Sequence, residues 1–94
     1  MPYVYILRCG DGSLYTGAAL DVRRRVDQHQ AGTASKYTRS RRPLSLAWFR
    51  RVRTWSRALK LEYQIKRLSR GEKLALVERR AVPVGLAQGG LRGR

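Results

Sequence analysis

Tyr3-Val4-Tyr5-Ile6-Leu7 and Leu14-Tyr15-Thr16-Gly17, with Gly10-Asp11-Gly12-Ser13 between them, decide how this chain folds. The first run is aromatic and β-branched, residue types that fit a pleated, half-buried surface, so it predicts a strand. The Gly/Asp/Ser segment supplies turn residues, and the second run resumes strand character. Together they predict a β-hairpin closed by a loop of four or five residues.

Downstream of the hairpin the period changes from two to 3.6. Asp21 is a good N-cap, and the helix it opens runs to about Gln30, where Gly32 ends it. Thr33 to Pro43 is polar and basic and is expected to be an ordered or semi-ordered loop. Leu44 to Arg53 predicts a third strand, with Leu44, Leu46 and Trp48 on one face. A second helix is expected from about Arg57 to Leu68. Ser69-Arg70-Gly71-Glu72 then fits a capping box for a third helix reaching about Arg80. The order is β-β-α-β-α-α, whose simplest architecture is an α/β domain with a three-stranded, largely antiparallel sheet and helices packed against it. Residues 1–80 are expected to form this domain. Residues 81–94, rich in Gly, Pro and Arg, are expected to form a flexible tail.

Length and charge narrow the function. Ninety-four residues suffice for one domain, and a domain of this size buries only roughly 60–65% of its unfolded surface. Lys and Arg total 21 against 6 Asp and Glu, a formal net charge of +15. Seventeen of the basic residues are Arg, whose planar fork pairs with phosphate and stacks on bases. Such an excess repels itself unless a polyanion neutralises it, so nucleic acid is the expected partner, ahead of an anionic membrane or an acidic protein. An Arg-favouring genome is the bland explanation. The lone Cys9 excludes an internal disulfide and a Cys-based zinc site. Arg8 interrupts the only early apolar run, and no 18-residue apolar stretch occurs, so the expected setting is the cytoplasm.

Polar residues stand where the helices should be apolar. Val22 and Val26 mark the inward face of the first helix, yet Arg25 and His29 complete its i, i+3, i+4, i+7 stripe. In the next helix Ala58, Leu61, Ile65 and Leu68 define the stripe, and Glu62 lies on it. Glu62 is the only acidic residue between Gln28 and Arg70, a stretch that holds twelve Lys or Arg. A carboxylate at the edge of a core costs several kcal/mol of desolvation unless a cation meets it. Two readings stay open. One is structural, an ion pair of Glu62 with Arg25, or with Lys66 at i, i+4. The other is a metal-ligating carboxylate beside a phosphate-gripping Arg, where one carboxylate with waters and substrate oxygens suits Mg²⁺. His29, Tyr5 and Tyr15 are ambiguous in the same way, because each taken alone reads as packing.

Taken together these residues resemble the GIY-YIG nuclease family. Tyr3-Val4-Tyr5 stands where the family has its first element, without that element's Gly, and Tyr15-Thr16-Gly17 stands for the second. Arg25 and His29 match the family's first helix and Glu62 its metal-binding Glu. The short architecture, with Lys36-Tyr37-Thr38 and Leu59 to Ser69, is similar to the small stand-alone bacterial YhbQ-like group. The resemblance runs from about Pro2 to Val77. It implies a sandwich around a three-stranded sheet and a catalytic set of Tyr5, Tyr15, Arg25, His29 and Glu62, with Glu62 holding one Mg²⁺ or Mn²⁺. Tyr5 would serve as general base, its pKa lowered by cations such as Arg25. Lys36, Tyr37, Arg39, Arg41, Arg42 and Lys66 are the expected nucleic-acid contacts, the loop mixing cations with a stacking aromatic. The implied activity is metal-dependent hydrolysis of phosphodiester bonds in single-stranded, branched or nicked DNA, linked to repair or recombination, with RNA as the alternative substrate. The rivals are a non-catalytic DNA- or RNA-binding module of the same fold and a basic ribosome- or protein-associated factor. Gly17 fits either a close approach of backbone or the simple end of a strand.

Overall fold

The computed structural model describes residues 1–81, and side chains to residue 79. The expected flexible tail lies, beyond Ala81, outside the described residues. Three strands, β1 (Tyr3–Cys9), β2 (Leu14–Ala19) and β3 (Leu44–Arg51), form one sheet in the order β2-β1-β3. Both pairings are antiparallel. The four helices are α1 (Val22–Ala31), α2 (Lys36–Arg39), α3 (Trp55–Lys66) and α4 (Arg70–Ala81).

Local chemistry sets these boundaries. The β1–β2 turn closes with Cys9 N–H donating to Ser13 O at 2.9 Å, and Gly12 supplies its left-handed φ of 86°. The Asp21 carboxylate accepts from Arg24 N–H at the start of α1, and Gly32 ends it at φ 83°. The capping box before α4 forms in both directions: Ser69 N–H donates to Glu72 at 2.8 Å and Glu72 N–H to Ser69 Oγ at 3.2 Å. Thr54 caps α3, which starts two residues earlier than the sequence predicts.

Two sequence expectations are corrected. The segment 33–43 contains α2, a four-residue helical turn whose N-cap Ser35 accepts from Tyr37 N–H. A polar, basic composition concealed it because one turn is too short to display a helical period. Second, Leu44, Leu46 and Trp48 do not share a face. Trp48 pairs with Ile6 and Leu46 with Leu7, so a bulge falls between them. One extra residue on β3 reverses the alternation of side chains.

That bulge lets β3 serve both sides of the sheet. One face, under α3 and α4, buries Val4, Ile6, Trp48, Ala58, Ile65 and Val77. The other, under α1, buries Tyr5, Leu7, Cys9, Ala19 and Leu44, with Val22 and Val26 packed against them as their spacing predicts. The result is a three-layer α/β sandwich.

Candidate active site on the face beneath α1

The buried residue of α1 is His29, 1% exposed, while Val22 and Val26 are only half-buried. This histidine sits inside a chain of hydrogen bonds. Tyr5 Oη lies 3.0 Å from its Nε2, and Thr38 Oγ1 lies 2.7 Å from its Nδ1. Thr38 Oγ1 donates in turn to Ser35 O at 3.3 Å. Its own hydrogen being used there, Thr38 accepts at its lone pair. This network assigns the His29 proton to Nδ1, with the Nε2 lone pair accepting from the Tyr5 hydroxyl. Burial, with Arg25 adding to it, pushes the His29 pKa below its ordinary value, so the ring is neutral at pH 7.

Gly17 makes room for the phenol. Tyr5 and Gly17 are directly opposite on β1 and β2, and a Cβ at Gly17 would lie 2.5 Å from Tyr5 Oη. The close approach that the sequence left open is thus made by the Tyr5 side chain. Tyr15 lies edge-on to the His29 ring, centroids 5.2 Å apart, and stacks on Tyr37 at 5.6 Å. The Arg41 guanidinium covers the other part of this stack, 3.8 Å from the Tyr37 centroid.

Arg25 and Glu62 complete the cluster. Arg25 acts electrostatically on both Tyr5 and His29, and the Glu62 charge reaches Tyr5. Glu62, its side chain 18% exposed, pairs with Lys66 at 2.9 Å, so of the alternatives left by the sequence the i, i+4 pair is the one that forms. The idea that cations hold the Tyr5 pKa down is overturned. Burial raises it well above the normal tyrosine range, Tyr15 and Glu62 add to that, and Arg25 opposes them without prevailing.

The loop cations divide. Arg41 bonds Asp11 at 3.1 Å and Tyr37 O at 2.9 Å. Arg42 donates to the carbonyls of Arg39 and Gln30 at 3.0 and 3.1 Å, closing the C-terminal ends of two helices. Their first visible task is to hold the loop in place. Lys36 and Arg39 are exposed. Thr38, fully buried, is the residue that sequence reasoning left out of the site; it was noted only within Lys36-Tyr37-Thr38, and nothing set its hydroxyl apart from those of Thr33, Ser35, Tyr37 and Ser40.

The donor set limits what metal the site could take. Among the described residues no group of three or more His, Cys, Asp or Glu gathers. Both His29 nitrogens are engaged, which leaves Glu62 as the one carboxylate at the cluster. A single carboxylate fits a hard divalent ion that keeps water and phosphate oxygens as its other ligands, and does not fit a zinc cage.

The sequence model of the GIY-YIG catalytic domain matches residues 1–75. A UPF0213 protein of Staphylococcus aureus (strain Mu50) is 50% identical over 78 residues, covering 83% of this chain and 95% of the relative. The solution NMR structure of a UPF0213 protein from Bacillus halodurans is 40% identical with a TM-score of 0.57, covering 95% of this chain and all of that one. A second NMR structure, from E. faecalis, is 34% identical at a TM-score of 0.57 and covers 86% of each chain. The chain belongs to the GIY-YIG family and is similar over most of its length to the UPF0213 proteins. A nuclease-type domain with a nucleic-acid substrate is the function class this membership defines. No helix among the described residues is long and apolar enough to cross a membrane.

Proposed function

We propose that the chain is a divalent-metal-dependent endonuclease that hydrolyses phosphodiester bonds in DNA, selecting unpaired, branched or nicked structure over sequence, and serving repair or recombination in the cytoplasm. The observation that carries this reading is the buried Tyr5–His29 hydrogen bond at 3.0 Å, with Tyr15, Arg25 and Glu62 around it. A neutral base buried behind a phenol is unnecessary in a mere binding module.

The raised Tyr5 pKa shapes the mechanism. A free tyrosinate is too costly at neutral pH, so Tyr5 works as a relay. Its oxygen accepts the proton of the attacking water while its own proton passes to His29 Nε2, and the phenol is never left charged. Attack forms the new P–O bond as the leaving P–O bond breaks. Thr38 holds the His29 tautomer that keeps Nε2 open to receive. Arg25 grips a non-bridging phosphate oxygen and stabilises the charge that develops there. Glu62 would hold one Mg²⁺ or Mn²⁺, with Lys66 released from the carboxylate toward the phosphate backbone. An ion bound there supplies charge neutralisation at the scissile phosphate and leaving oxygen. Low sequence specificity follows from a surface of Arg and aromatics with no recognition helix among the described residues.

The Glu62–Lys66 pair is the one observation that favours the second reading, a binding module in which Glu62 is structural. Cleavage of labelled single-stranded, duplex and flapped DNA with Mg²⁺ or Mn²⁺ separates the two. Metal-dependent cutting by wild type, lost in Glu62→Ala and Arg25→Ala while both fold and bind, is expected. Tight binding without any wild-type cutting would falsify the nuclease reading.

A further inference from the structure

The two tryptophans have opposite fates. Trp48 is 7% exposed and belongs to the core beneath α3 and α4. Trp55, the first residue of α3, is 45% exposed and belongs to neither core cluster. An aromatic of this size contributes most when its face is covered, so one left half in water at a helix start stabilises the fold little. Trp55 instead forms a wall of a cleft of about 280 Å³, which Ala19, Leu20, Arg24, Arg25 and Gln28 complete. Asp21, at the same cleft, is already engaged as the cap of α1.

We propose that this cleft receives one unstacked nucleobase, that of a nucleotide adjoining the phosphate gripped by Arg25. The proposal rests on the nuclease reading of the neighbouring site and adds a base subsite to it. Arg25 is shared by the cleft and the Tyr5–His29 cluster, which makes the two continuous. Trp55 and Glu62 are seven residues apart on α3, two turns and about 10 Å along one side of the helix. That spacing suits a strand whose phosphate lies at Arg25 and Glu62 while a flanking base turns into the cleft. Trp55 offers a π-face for stacking, which every base can use. Arg24 supplies charge for the adjoining backbone, and Gln28 an amide able to donate to and accept from a base edge. A base held in a duplex stack cannot turn in without unpairing. The cleft therefore favours single-stranded ends, flaps and nicks over intact duplex.

Tryptophan fluorescence tests this in EDTA, where cutting is silenced and binding alone is read. Matched (dU)8 and (rU)8 strands and a duplex are titrated into wild type, Trp55→Ala and Trp55→Phe. Either single strand should quench wild-type emission, the stronger quencher naming the preferred sugar. Trp55→Ala should lose the quench and bind single strands about tenfold more weakly, with under twofold change for duplex. Trp55→Phe, which keeps a ring, should recover most of the affinity. Equal single-strand affinity in wild type and Trp55→Ala overturns the proposal, as does an equal loss for duplex. Emission that changes with protein concentration before any strand is added also overturns it, by assigning the cleft to a second copy of the chain. A wild-type protein that never cuts DNA yet shows the Trp55-dependent quench sinks the nuclease reading alone. A nuclease that binds single strands no worse as Trp55→Ala sinks only the base subsite.

Discussion

One face of the sheet is apolar where it is buried, with Val4, Ile6 and Trp48 meeting Ala58, Ile65 and Val77. The other buries polar groups as deeply as apolar ones, with Tyr5, His29 and Thr38 beside Leu7 and all under 2% exposed. The apolar face tolerates one loose end: Thr16, opposite Ile6, buries a hydroxyl without a partner. On the α1 face every atom of the Tyr5–His29–Thr38 chain has its partner at hydrogen-bonding distance. Apolar burial is non-directional and holds the sandwich together. A buried polar chain contributes less net stability but allows only one arrangement of donors and acceptors. The second face is thus suited to fixing reacting atoms, and it depends on the first to keep it closed.

Breaking each face should therefore damage a different property. Tyr5→Phe is expected to lower cleavage by about 10²–10⁴-fold, the range of a lost acid–base group, while stability falls by about 1–3 kcal/mol because His29 Nε2 is left unpaired. Chemical denaturation and cleavage assays on the same preparation read both. On the opposite face Ile6→Ala should cost about 2–5 kcal/mol of stability, with cleavage by the folded protein nearly unchanged. Equal losses of activity in the two variants would erase the distinction between faces.

Gly17→Ala probes the seam. The added Cβ would sit 2.5 Å from the Tyr5 oxygen, which can give way only by breaking its bond to His29, so about 1–3 kcal/mol of stability is expected to go. Cleavage should fall with it, because the phenol must leave His29. A wild-type rate in Gly17→Ala would show that Tyr5 need not be where it is.

Thr38→Val sharpens the comparison. It leaves His29 Nδ1 without its partner at a cost of about 1–3 kcal/mol, and it should relax the tautomer preference. His29 is the only histidine, so long-range ¹H–¹⁵N spectra report its tautomer directly. Thr38→Ser should restore the Nδ1–H form; a wild-type protein protonated on Nε2 instead would reverse the relay's direction.

The smallest effect is on pH dependence. His29 has a folded-state pKa below its unfolded value of about 6.5. The unfolded chain then binds the extra proton, so His29's contribution to stability is present above pH ~6.5 and is lost as the pH falls through the folded value. The denaturation midpoint should drop between pH 7 and 5, and His29→Gln should flatten that drop. Tyr5 acts at the alkaline end: its raised pKa keeps its contribution whole below pH ~10, to be lost above it.

Much of this was legible in the chain. The hairpin, α1 with its caps, the capping box before α4 and the order of elements follow from residue types whose effects are local. The polar stripe residues Arg25, His29 and Glu62 announced themselves because a period of 3.6 makes a wrong residue conspicuous. Three features were decided by tertiary structure alone. The bulge between Ile6 and Leu7 sends Leu44 and Trp48 to opposite faces, since register depends on two strands at once. The Tyr5 pKa rises where the composition, rich in Arg, had suggested a fall, because burial is a property of the packed site and outweighs one nearby cation. Thr38 becomes part of the site only when α2 folds against α1, bringing together residues nine positions apart through a bond that no spacing rule encodes.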